Sequence, residues 1–402
     1  MTTYNVSLAD LRQDIAGVIP PDLVLRWNER AKSSHRHDEL LAPYRTRGTI
    51  VSVDSAGLSR MSQQLALPQV LKLISEPKEV IHALGTAIGG EAIGVWIADN
   101  SEMFFGDTID PSRVVTQMLA VQRRVVTLAV QVGIGIHVGE CYKVAGGLFG
   151  PDADLIEQLA EDYTAGGETL LSASTFDRLD IALREAARVR QDLVPVGRLW
   201  SLVDYRGPLE AVHGEDMAYP IPFDRAFHQR LRSTPIEQLA DANFGDYQRT
   251  CAVAFVKIDH GQHALLLDAF TQLTLMDLAV RRVAGSFKAD VVKSNGTLAI
   301  VLCEASAEAV AFARDVIDTI RALGAEAHVG VTHGEVFVFQ LGIDQREIAG
   351  HPVNVASKLS EDSGLDGILV ETSALTGAIA RQGEAFTLTI SRVDLRGVHI
   401  RV

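Results

Sequence analysis

Six positions in this chain carry side chains suited to chemistry: Asp54 and Asp99 in the first half, and Lys293, Glu347, Asn354 and Lys358 in the second. Carboxylates offer hard oxygens to a divalent cation. Lysine and asparagine donate hydrogen bonds to phosphate oxygens, hydroxyls or base edges. Each residue also has an ordinary explanation. Asp54 reads as the end of an apolar strand and Asp99-Asn100 as a turn, because Asp and Asn favour both places. Lys293 taken alone is a solvated edge residue, and Asn354 the cap or opening residue of a helix. One position at a time, structure accounts for these residues as well as chemistry does, so the elements around them have to decide.

Those elements are written twice. Gly135-Ile136-His137-Val138-Gly139-Glu140 is echoed by Gly330-Val331-Thr332-His333-Gly334-Glu335, each after an apolar run. The block from Gly150 to Asp162, with Asp154, Gln158 and Glu161, returns from Gly350 to Asp362 with Asn354, Lys358 and Glu361 at the same spacing. Ser201-Leu202-Val203-Asp204-Tyr205-Arg206-Gly207 returns as Ser391-Arg392-Val393-Asp394-Leu395-Arg396-Gly397. Chance supplies one such echo; three in the same order indicate a duplicated domain.

Hydrophobic periodicity gives both copies the same elements. Strands are expected at Gly48–Asp54 and Val253–Ile258, and helices at Gln69–Ala83 and Ala264–Val283. A hairpin follows in each. The first runs Ile93–Ile97, turns at Asp99-Asn100 and returns through Met103–Phe105; the second turns at Asn295-Gly296, a strong hairpin signal. Helices around 111–128 and 306–323 lead into the next strands. The predicted class is α+β, two tandem ferredoxin-like (βαββαβ) domains at 48–207 and 251–402. Residues 1–47 read as a helical lead-in after Pro20-Pro21. Residues 208–250, with Pro208, Pro220, Pro222 and Pro235, read as a linker long enough for the copies to pair face to face.

In this context the residues resemble a known family. Val53-Asp54-Ser55-Ala56-Gly57-Leu58-Ser59 is similar to the first metal-binding strand of class III adenylyl and guanylyl cyclases, and Ile97-Ala98-Asp99 to the hairpin carrying their second metal aspartate. The Gly-x-His-x-Gly-Glu strand and the helix start from Asn354 to Lys358 resemble further landmarks of that family. The resemblance covers roughly 48–206 and 251–402. It implies cyclase-type domains joined as an intramolecular pseudo-heterodimer, with catalytic groups for one site drawn from both domains. It further implies two Mg²⁺ or Mn²⁺ ions on Asp54 and Asp99, and phosphate contacts from the backbone after Asp54.

The copies differ in what they keep. Where the first has Asp54 and Asp99, the second has Lys257 and Thr297. The second has Lys293 and Glu347 at the positions where adenylyl cyclases read the base, where Val95 and Gly147 are expected in the first. Asn354 and Lys358 fill the transition-state positions, against Asp154 and Gln158. The losses are complementary, as in the two cytosolic halves of mammalian membrane adenylyl cyclases. The resemblance thus implies conversion of ATP, favoured over GTP, to cyclic AMP and pyrophosphate at one composite site, Arg396 being a loosely aligned phosphate contact. Two departures point to an alternative, a silent nucleotide-binding or regulatory scaffold: lysine at Lys358 replaces the family's arginine and lacks its bidentate fork, and Glu347 is one methylene longer than the family's aspartate.

Composition narrows the field. A net charge of -14 disfavours nucleic-acid partners. Three scattered cysteines, Cys141, Cys251 and Cys303, fit a reducing compartment without disulfides. The expectation is a cytoplasmic protein with no signal peptide, no membrane contact and room for a regulatory protein partner. His35-Arg36-His37-Asp38-Glu39 and the pair His260 and His263 lie in polar stretches and read as solvated surface, and His137 and His333 as structural residues.

Overall fold

The computed structural model describes residues 19–402 apart from 58–60, 63, 97–99, 194–196, 204, 206, 208–221, 260, 262, 342–345 and 391–392. The chain forms two compact units. One is Leu41–Asp241; the other is Ala242–Val402 together with the described N-terminal residues up to Leu40.

In the first unit, strand β1 (Arg45–Ser55) is followed by a long helix at Leu67–Thr86, the hairpin strands β2 (Glu91–Ile93) and β3 (Ser101–Gly106), a helix at Pro111–Val125 and strand β4 (Val132–Val144). Short strands β5 (Gly147–Phe149), β6 (Thr169–Leu171), β7 (Arg188–Val189) and β8 (Trp200–Ser201) complete a sheet ordered β2-β3-β1-β4-β6-β8-β7, with β5 paired to β4. The four leading strands stand in the ferredoxin-like order, antiparallel about β1, while β4 and β6 run parallel. Alternation along the strands explains the layering. Val51, Val53, Met103 and Phe105 face the two long helices and bury against Leu84, Val114 and Met118. Ile50, Phe104 and Cys141 face the other way, towards the helix at Pro151–Gln158.

The second unit repeats this plan. Strands β9 (Gln248–Asp259), β10 (Asp290–Ser294), β11 (Leu298–Cys303), β12 (Glu326–Gln340), β13 (Arg346–Ala349), β14 (Gly367–Glu371), β15 (Glu384–Ile390) and β16 (Val393–Ile400) form a sheet ordered β10-β11-β9-β12-β14-β16-β15, with β13 on β12. Here α1 denotes the helix His351–Glu361, which lies on the face opposite the long helices at Leu266–Ser286 and Ser306–Ala322. At Gly330 of β12 a Cβ would stand 2.0 Å from the Ala356 carbonyl oxygen, so glycine is what lets α1 seat on the sheet.

Three features depart from the expected layout. The first-copy hairpin strand ends at Ile93, because Gly94 takes φ +63 and Trp96 leaves the sheet to bury its indole, donating Nε1–H to the Glu102 carbonyl. The far side of that turn, including Asp99, lies outside the described residues. Helices in the expected linker, Arg225–Ser233 and Ile236–Leu239, belong to the first unit: Lys72 Nζ donates to the Leu231, Arg232 and Thr234 carbonyls, and Gln69 to the Ile236 carbonyl. The lead-in helix Pro21–Asn28 joins the second unit, with Trp27 Nε1 on Asp268 at 2.9 Å and Asn28 on Thr271. The cysteines are free and buried, and burial pushes the Cys141 and Cys303 thiols up to about 12. Among the described residues no helix is long and apolar enough to cross a membrane.

Candidate functional site

The second copy carries a built polar cluster. Lys293 on β10 and Glu347 on β13 are 54 residues apart in sequence, yet Lys293 Nζ stands 3.3 Å from Glu347 Oε2. Glu347 is only 4% exposed, and its Oε1 accepts from the Ile348 amide. Burial pushes the Glu347 carboxyl above the ordinary carboxylate range, while Lys293 and that amide pull it back. A carboxylate and an ammonium held side by side offer one acceptor and one donor to a planar ligand edge.

Starting from the Gly135/Gly330 repeat, pairing registers carry the alignment of the copies across the sheets. Asp54 lies opposite Gly133 and Lys257 opposite His328, and both sit at the end of the central strand. Lys293 lies opposite Ile300, whereas Ile93 lies opposite the matching Glu102; the first-copy counterpart of Lys293 is therefore Ile93, not Val95. It is apolar either way, and Gly147 indeed matches Glu347, since Val144 pairs with Gly147 as Phe339 pairs with Glu347.

Asn354 and Lys358 lie one turn apart on the same face of α1, both half-buried. Gly350 is the N-cap of this helix, so Asn354 is not needed as its cap. Arg396 is not part of this group. It is exposed on β16, where Leu395 packs against Val355 and Leu359 of α1. By strand alternation Arg396 therefore stands on the other face of the sheet from α1, and β16 lies five strand positions from β10.

Asp54 is half-buried at the end of β1, where a carboxylate can present its oxygens to a hard cation. Its expected partner Asp99 lies outside the described residues. Among the described residues no three His, Cys, Asp or Glu side chains are grouped to hold a metal ion. In the second copy both positions serve structure: Lys257 Nζ is 3.5 Å from Glu361, and Thr297 is tied into its turn by the Asn295 side chain. His137 is buried against Ser172 and Asp152, a structural role as expected.

Two features escaped inspection of single motifs. In the first copy a cleft of about 280 Å³ is lined by Ser52, Glu102, Ala153, Asp154 and Glu157. The registers place Phe255 and Ile300 where Ser52 and Glu102 stand, and the helix repeat places Val353 where Ala153 stands. Smaller side chains open the cleft, and one carboxylate, Glu102, stands where the second copy packs Ile300. Comparing the copies strand by strand reveals it; searching for motifs does not. In the second copy Arg346 and Asp290 form an ion pair beside Lys293 and Glu347.

No protein-family profile matches the sequence, and no curated protein does. Solved structures do. A class III adenylyl cyclase-like ATP-binding protein from Pseudomonas aeruginosa aligns over 84% of this chain and 86% of its own, at 13% identity and a TM-score of 0.54. The adenylyl cyclase CyaB from P. aeruginosa aligns over 40% of this chain and 96% of its own (19% identity, TM-score 0.34), and the guanylyl cyclase Cya2 over 42% and 98% (22% identity, TM-score 0.34). With two matching sheets and a neighbour that spans both, the chain has the fold of two tandem class III cyclase-type domains.

Proposed function

We propose that this chain binds ATP, reads its adenine through Lys293 and Glu347, and converts it to cyclic AMP and pyrophosphate. The observation that carries the reading is the Lys293–Glu347 pair, present in one copy and replaced by Ile93 and Gly147 in the other. An ammonium donates to the adenine ring nitrogen that accepts, and a carboxylate accepts from the exocyclic amine that donates. Guanine held in the same pose opposes both groups.

In this reading the copies share one nucleotide. Asp54, with Asp99, would hold two Mg²⁺ or Mn²⁺ ions, whose chemistry when bound is to neutralise phosphate charge and acidify the attacking hydroxyl. Asn354 and Lys358 contact the ribose and phosphates from one face of α1. The ribose 3′-oxygen bonds to the α-phosphorus, the bond to the β-phosphate bridging oxygen breaks, pyrophosphate leaves, and the hydroxyl proton passes to solvent. Lys358 supplies a point charge without a guanidinium fork, so turnover is expected to be slow. That same residue favours a second reading, ATP binding without cyclisation, and the neighbour that spans both units is itself described as ATP-binding and cyclase-like.

Incubation of the purified protein with each nucleoside triphosphate and Mg²⁺ or Mn²⁺, with product identification, tests both. Cyclic AMP is expected from ATP alone, and is expected to disappear in Asp54→Ala. Lys293→Met is expected to weaken ATP binding roughly tenfold or more, the scale of one lost charge-assisted contact. Binding without cyclic product selects the second reading. Turnover unchanged in Asp54→Ala removes the metal assignment.

A further inference from the structure

We propose that Arg346, clamped on Asp290, is a positioning residue that locks a bulge in β10 and so sets Lys293 against Glu347, tuning selectivity for the purine base; the selectivity rests on the nucleotide reading above. The register of β10 against β11 slips between Val291 and Lys293. A bulge inserts one unpaired residue and re-aims the side chains that follow. Val292 packs in the cluster that contains Ile348, and the next residue, Lys293, reaches Glu347. Two consecutive side chains of β10 therefore serve β13, which a regular strand with alternating faces does not do.

A bulge disturbs the ladder and leaves backbone groups in need of partners. Arg346 meets that need from β13. Its Nη2 donates to the Val291 carbonyl at 2.6 Å, and its two terminal nitrogens grip both oxygens of Asp290. Asp290 also accepts from Arg249 on β9, and its carboxyl is held below the ordinary range chiefly by the Arg346 hydrogen bond. Arg346 is the immediate neighbour of Glu347, so one fork joins the strand bearing the carboxylate to the strand bearing the lysine. The first copy has none of this. Gly146 stands in the place of Arg346, β2 pairs with β3 without a slip, and the Lys–Glu pair is missing. Clamp, bulge and pair occur together or not at all.

The test uses full-length Arg346→Met and Arg346→Lys. The second keeps the charge and loses the fork, and it keeps the test open if the first folds poorly. The Glu347 carboxyl is followed by carbon-13 titration, and ATP and GTP affinities with Mg²⁺ by calorimetry. In both variants Glu347 is expected to titrate at higher pH, because Lys293 no longer stabilises its charge. The ATP-to-GTP affinity ratio is expected to fall roughly tenfold. Titration and ratio both unmoved in both variants would overturn the proposal, whatever happens to thermal stability. A wild-type protein that binds neither nucleotide removes the base-reading assignment; the titration then decides the clamp by itself, a rise supporting it and no change ending it.

Discussion

Two glutamates, Glu347 buried and Glu102 half-buried, show how differently the copies treat the same chemistry. Glu347 has Lys293 at 3.3 Å, so its charge is compensated where it is buried. Glu102, in the place of Ile300, has Glu157 nearby instead. Burial first, and then that neighbour, lift its carboxyl from an ordinary 4.5 to about 7. The folded state therefore holds the Glu102 proton more tightly than the unfolded chain does. Stability contributed by this group is intact below about pH 4.5 and falls as pH rises towards 7. Glu102→Gln is expected to stabilise the protein at pH 8 by up to roughly 3 kcal/mol, and to have little effect at pH 4.5. Urea unfolding at the two pH values measures this; an equal gain at both would mean that Glu102 does not titrate in this range. Motifs made Lys293 and Glu347 candidates because the family places polar residues there. Glu102 had no motif to mark it, and its burial arises only when α-helix and sheet close around it.

Elements carry the site through close backbone contacts. Helix α1 brings Asn354 and Lys358 to the sheet because Gly330 leaves room for the Ala356 carbonyl. Gly330→Ala puts a methyl group into that backbone, which cannot swing aside as a side-chain tip can. It is expected to cost about 1–3 kcal/mol in urea unfolding and to weaken nucleotide binding as α1 shifts. Gly285→Ala, in open space near the end of a helix, serves as the control and is expected to be neutral or stabilising by up to about 1 kcal/mol. A Gly330→Ala protein as stable as wild type would show that α1 can slide without loss. Long elements were legible because apolar periodicity repeats over many residues, as in β1, β9 and the helices that follow them. The first-copy hairpin was legible only in part. Ile93 through Trp96 looks like a strand in composition, and what ends it is the positive φ of Gly94 and the burial of the Trp96 ring.

At the scale of the molecule, the order of segments in the chain is not the order in which they pack. The lead-in helix precedes the first copy but docks on the second, while the helices before the second copy dock on the first. Under the proposed function each chain completes its own nucleotide site. Mixing equal amounts of Asp54→Ala and Lys293→Met chains is then expected to give no more cyclic AMP than the Lys293→Met chain gives alone, because neither chain holds a full set of groups. Activity recovered on mixing, measured against each variant alone, would place the shared site between chains instead.

The duplication, the βαββαβ order of each copy and the uneven sharing of Asp54, Lys293, Glu347, Asn354 and Lys358 were determined by the sequence, because strand alternation, helix periodicity and motif order are local and survive in one dimension. Tertiary structure alone decided that Lys293 touches Glu347, that Ile93 rather than Val95 is its counterpart, that Arg346 grips Asp290 and that Arg396 stands apart. Those facts depend on register, and register is set by a bulge and by side chains far apart in the chain that meet only when the sheet forms.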